Sequence, residues 1–160
     1  MILFLDYDGV LHPDPCLNSR RLFENVPRLN ASLEEFPEVC LVLSTSWRTM
    51  QGLKELMSPL PEGLQSRVLG TTPIFSSFTA PPHLMPYKRH AECVQWMVDN
   101  DQSDRDWFAV DDRPAWFAPY CDYLIDCDSQ RGFDDEAAAR LRFALLKARQ
   151  RMLRRVDTLL

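Results

Sequence analysis

Asp6 and Asp8 stand two residues apart directly after the apolar run Ile2–Leu5, and Asp111 and Asp112 stand together directly after Trp107–Val110. Carboxylates crowded at the end of a buried segment are costly unless a proton or a cation compensates them. A hard divalent ion does this well, and Mg²⁺ prefers oxygen ligands. Asp and Gly are also common in solvated turns, so a turn would account for Asp6-Tyr7-Asp8-Gly9 taken alone. Two acid pairs at two strand ends are harder to explain that way. Gly9 supplies the backbone freedom for the chain to turn over such a site.

Two further groups fall between the acid pairs. Ser44-Thr45-Ser46 follows the apolar run Val39–Leu43. Hydroxyls and free backbone N–H groups at a strand-to-helix junction suit a phosphate oxygen, although a plain helix cap needs only one such residue. Lys88-Arg89 precedes an amphipathic segment. A fixed cation there can neutralise charge on a phosphate and on a nucleophilic aspartate, but basic surface residues are common everywhere.

These groups need elements to position them. Short apolar runs at 1–5, 39–43, 67–69, 107–110 and 123–125 read as buried strands. Helical spacing marks Arg20–Phe36 (Leu22, Val26, Leu29 and Leu33 on one face, with Pro27 against it), Trp47–Met57 and Arg89–Val98. A long amphipathic helix is expected over 134–160, with Leu141, Leu145, Ala148, Met152, Val156 and Leu159 on one stripe. Thr71–Pro86, with four prolines, reads as a surface loop. Alternating strands and helices predict a single α/β domain over 1–160 with a mostly parallel sheet. Such sheets place their sites beyond the carboxyl ends of the strands, where the polar groups cluster here.

Composition narrows the class. The chain has 160 residues and is 46% hydrophobic, enough for a sizeable core and against disorder. No apolar run is long enough to span a bilayer, and Asp6 and Asp8 interrupt any signal-peptide core. The five cysteines form no CxxC pair, which favours reduced thiols and a cytoplasmic location. The net charge of −5 argues against bulk attraction to nucleic acid.

In order and spacing, the four groups resemble the haloacid dehalogenase (HAD) superfamily, whose pattern is DxD, then Thr or Ser, then Lys or Arg, then DD or GD. The resemblance covers essentially the whole chain. Thr45-Ser46-Trp47 and Glu92–Met97 look closest to compact bacterial members, some of them linked to nucleic-acid repair systems. It implies a three-layer Rossmann-like fold and a Mg²⁺-dependent phosphatase that passes through an aspartyl-phosphate. On this resemblance Asp6 would be the nucleophile and Asp8 the general acid and base. Thr45 would hold a phosphate oxygen, with Ser44 and Ser46 as alternatives and Gly9 also at the substrate. Lys88 is the choice for the cation, with Arg89 beside it. Asp6, Asp8 (also through its backbone carbonyl), Asp111 and Asp112 would bind the metal. A non-catalytic phosphate-recognition module on the same fold is the rival, against which intact Asp6 and Asp8 count.

Val10–Glu38 and Trp47–Tyr87 leave no room for a large cap domain, so an open site is expected. That suits a bulky phosphorylated substrate, a nucleic-acid end or a phosphoprotein, without excluding small molecules. Arg140, Arg142, Lys147, Arg149, Arg151, Arg154 and Arg155 surround the last apolar stripe. They read either as phosphate-backbone contacts or, in preference, as a solvated face. Of the three histidines, His12 lies in the flap beside the proposed site. The four tryptophans read as core or rim.

Overall fold

The structure is a computed structural model that describes residues 1–157, with side chains as far as Arg154. Five strands form one parallel sheet: β1 (Ile2–Leu5), β2 (Cys40–Leu43), β3 (Val68–Thr71), β4 (Trp107–Asp111) and β5 (Leu124–Asp126). Their order is β3-β2-β1-β4-β5. β1 is central, and its Leu5 pairs with Leu43 of β2 on one side and Val110 of β4 on the other. The residues that follow these three, Asp6, Ser44 and Asp111, therefore emerge level at the carboxyl edge. The chain builds outward from β1 through β2 and β3, then returns to add β4 and β5 on the other side. The reversal between β1 and β4 makes the crevice in which open α/β sheets bind ligands.

The period-2 alternation of side chains gives the sheet two apolar faces. Leu3, Leu5, Leu41, Leu43, Phe108 and Val110 face a core closed by α1 (Val26–Glu34), α2 (Leu53–Met57), α3 (Glu62–Gln65) and α5 (Asp135–Asp157). Ile2, Phe4, Val42 and Ala109 face α4 (Lys88–Asp99) through Cys93, Trp96 and Met97. Three layers result, as expected. No large cap interrupts them, and no helix among the described residues is long and apolar enough to cross a membrane.

Several expected boundaries move for local reasons. The helix expected from Arg20 begins only at Val26, because Phe23 takes a positive φ of 59°. Pro27 then lies in the first turn, where a missing N–H costs nothing. The helix expected over Trp47–Met57 splits into a 3₁₀ turn, Ser46–Thr49, and α2, with Gly52 extended between them as the N-cap. The loop over Thr71–Pro86 contains two 3₁₀ turns, Phe75–Ser77 and Pro82–Leu84.

On α5 the stripe is buried at Leu141, Leu145 and Ala148, but Met152 is exposed. The side chain of Val156, and Leu159 altogether, lie outside the described residues. Four arginines of α5 are held by acids: Arg140 by Asp126, Arg142 by Glu35, Arg149 by Glu38 and Arg151 by Asp106. Glu38 and Asp106 precede β2 and β4, so Arg149 and Arg151 sit at the amino edge of the sheet, opposite Asp6. The side chain of Arg155 lies outside the described residues.

Candidate active site

Asp6, Asp111 and Asp112 converge just beyond β1 and β4. They are buried, and one carboxylate oxygen from each lies within 4.8 Å of the others. Burial raises Asp6 above the ordinary carboxylate range against the pull of Arg89. Burial, then the charge of Asp6, pushes Asp111 up to about 8. Asp112 rises to about 6, again mainly through burial. Carboxylates in this condition take up protons or a cation. Among the described residues the buried Oδ2 atoms of Asp111 and Asp112 have no hydrogen-bond partner, although Arg89 Nε faces that of Asp111 at 3.2 Å. An all-oxygen donor set of this kind fits Mg²⁺.

Gly9 makes the cluster possible. Its φ is +67°, and a Cβ built there would overlap the Asp112 carboxylate. Backbone of the first motif thus packs directly on the acid of the fourth, which only a glycine allows.

Asp8 stands outside this cluster, whereas the resemblance implied its carboxylate among the metal ligands. Its Oδ1 lies 3.0 Å from His12 Nε2, and its Oδ2 accepts a 2.9 Å hydrogen bond from Trp47 Nε1–H. The His12 bond, and to a lesser degree the Trp47 bond, hold Asp8 below the usual carboxylate range although it is half-buried. Asp6 and Asp8, two residues apart, are therefore pushed in opposite directions, a pattern that accompanies a division of roles.

The cation against Asp6 is Arg89, not Lys88. Arg89 is 4% exposed, with Nη2 3.6 Å from Asp6 Oδ2 and Nε 3.2 Å from Asp111 Oδ2. Its Nη1 donates to the Ser44 carbonyl and lies 3.2 Å from Glu92. Lys88, one residue earlier on α4, points outward and rests on the ring of Trp116. Successive helical residues diverge by about 100°, so one of the pair had to leave the site.

Thr45 is fully buried and its Oγ1 accepts the Trp47 N–H, while Ser44 is buried with its carbonyl taken by Arg48 and Arg89. Ser46 is exposed. Arg48 was not singled out by motif, yet it ties the second strand end together. It donates to the carbonyls of Ser44, Thr45, Thr72 and Pro73. Its Nη2 also meets Glu92 at 2.9 Å. Glu92 thus bridges Arg48 and Arg89, and its other oxygen accepts the Phe75 N–H. Its signal was available: a glutamate on the stripe that carries Arg89, Cys93 and Trp96 at i, i+3, i+4 and i+7 must be buried with a partner.

Residues 2–138 match the family described as the HAD domain in Swiss Army Knife RNA repair proteins. The chain belongs to that family. No curated protein matches it, and no solved structure does. As a HAD domain it carries the DxD pair, the Ser-Thr junction, the buried arginine and the final acid pair around one crevice, with Lys88 displaced from the place the sequence suggested.

Proposed function

We propose that this HAD domain is a Mg²⁺-dependent phosphomonoesterase working through an aspartyl-phosphate on Asp6. One observation carries the reading: a buried group of three carboxylates, with Arg89 against Asp6, beside a fourth carboxylate held apart by His12 and Trp47. Asp6, Asp111 and Asp112, with the Asp8 carbonyl, would hold Mg²⁺, which supplies charge stabilisation for the phosphoryl oxygens.

Asp6 is aligned by the Tyr7 N–H, which donates to its Oδ1 at 2.8 Å, and by Arg89. Its carboxylate forms the bond to phosphorus as the bond to the leaving oxygen breaks, and Asp8 gives that oxygen a proton. In the second half, water attacks the phosphorus and loses its proton to Asp8, Asp6 is freed and inorganic phosphate departs. Asp8 is ionised in the free enzyme, and the negative charge of an arriving phosphate favours the protonated form it needs. Thr45 and the junction N–H groups bind a phosphate oxygen, and Arg89 offsets charge on both reacting groups.

For the substrate we favour a phosphorylated nucleic-acid end, on the strength of the family's association with RNA repair proteins and the uncapped crevice. The five unpaired thiols fit a reducing, cytoplasmic setting. The test is hydrolysis of a generic aryl phosphate with and without Mg²⁺, followed by phosphorylated oligonucleotides, nucleotides, sugar phosphates and phosphopeptides. Turnover that is absent in wild type with Mg²⁺, or that survives in Asp6→Asn, would overturn the reading.

A further inference from the structure

Three cations crowd one indole at the rim of the crevice. Lys88 Nζ lies 3.6 Å from the centroid of the Trp116 ring, and the guanidinium carbons of Arg89 and Arg113 lie 5.4 and 5.8 Å from it. Arg89 faces inward to Asp6 and Asp111, whereas Lys88 and Arg113 are exposed. Trp116 ends the 3₁₀ turn Pro114–Trp116, which follows the acid pair at the end of β4. Lys88 opens α4. Both segments lie at the carboxyl edge, so the platform borders the reacting centre.

The chemistry of the platform is that of a second phosphate contact. An ammonium held on an aromatic face keeps its charge, because the ring attracts it without neutralising it. Arg113 is partly spent on Asp14 at 2.6 Å and Asp112 at 3.4 Å, which leaves Lys88 as the stronger attractor. One ring lies within cation–π range of both Lys88 and Arg89, so the outward cation stands near the guanidinium beside the proposed nucleophile. A lone phosphomonoester needs no second cation there. A strand end does, because its next phosphate follows at close, fixed spacing. Electrostatic tracking of a backbone beside an aromatic ring is how strands are held without sequence preference. Arg149 and Arg151 of α5 offer no such contact, since they lie at the opposite edge and pair with acids.

We propose that Lys88, seated on Trp116 and assisted by Arg113, binds the phosphodiester next to the reacting phosphate of a nucleic-acid end. This rests on the phosphatase reading for its register but can be tested without turnover. The probe is a short, labelled oligonucleotide with a terminal phosphate, titrated with Mg²⁺ present into the Asp6→Asn protein, with and without Lys88→Gln, over a range of salt. The expected result is a several-fold higher Kd and a salt slope smaller by about one. Inorganic phosphate should lose far less affinity, Lys88→Arg should restore most of the oligonucleotide binding, and Arg151→Gln should not reproduce the loss. Equal Kd and slope with and without Lys88→Gln would overturn the proposal. So would an equal loss for inorganic phosphate, which would put Lys88 on the reacting group. An equal loss for a phosphopeptide would transfer the surface to a protein partner. Failure of the phosphatase reading shows separately, as absent turnover with the binding difference intact.

Discussion

His12 Nε2 lies 3.0 Å from Asp8 Oδ1, and the ring that makes this contact is 1% exposed. A loop histidine in water would have no such fixed partner. With Trp47 on the other oxygen, Asp8 is pinned in one orientation, which a proton donor to a leaving group needs. His12→Ala and Trp47→Phe should each release the carboxylate. We expect kcat to fall about tenfold for alkyl phosphates, whose leaving groups need a proton, and much less for activated aryl phosphates. In an Asp8→Asn background the same substitutions should cost nothing further. A rate series across leaving groups checks both points, and additive losses would reduce His12 and Trp47 to packing.

Asp6→Asn removes the proposed nucleophile and nearly preserves shape, so turnover should vanish while the thermal transition stays cooperative. Asp8→Asn should retain phosphoryl transfer from activated substrates and accumulate phosphoenzyme, because the proposed water-activating base is gone. Acid-quench trapping on wild type, Asp6→Asn and Asp8→Asn distinguishes these outcomes.

The acid cluster predicts a pH dependence of stability. Asp111 and Asp112 have folded-state values raised to about 8 and about 6. The folded state therefore holds protons that the unfolded state has already lost, and stability falls as pH rises between about 4 and about 8. Mg²⁺ requires both carboxylates ionised, so its affinity and its stabilising effect should grow over the same window. Thermal scans with and without millimolar Mg²⁺, at several pH values, measure this directly. A metal effect that shrank with rising pH would contradict it.

Gly9→Ala should disable the cluster without touching a carboxylate. The new Cβ would meet Asp112 at a backbone φ of +67°, where a side chain is already strained. We expect a stability loss on the order of 1–3 kcal/mol and weaker Mg²⁺ binding, read by denaturation and metal titration.

Glu92→Ala should be damaging although Glu92 stands outside the acid cluster. It removes a carboxylate shared by two buried guanidiniums, leaving Arg48 with backbone carbonyls and Arg89 with Asp6 and Asp111. The cost of breaking a buried pair is about 3–5 kcal/mol. Chemical denaturation gives the stability term. Glu92→Gln, which keeps an acceptor for both arginines, should recover part of it.

The sequence by itself determined the strands, their mostly parallel arrangement and the edge at which chemistry could occur. Apolar runs that end abruptly in Asp6, Ser44 and Asp111 state both where the buried strands run and where polar groups begin, and these are local properties of chain composition. Helix boundaries were less legible at Phe23 and Gly52, where one backbone conformation overrode a pattern of apolar spacing. Lys88 or Arg89 could not be chosen from composition, because both are basic and adjacent. The pitch of α4 decided that the inner one is Arg89. Likewise, nothing in the spacing of Asp8, His12 and Trp47 announces that one carboxylate bonds both rings, a contact that joins residues 39 positions apart. The acid cluster itself was legible as two pairs. Its closure around Gly9 was not, since that depends on a through-space approach between β1 and β4 that only folding creates.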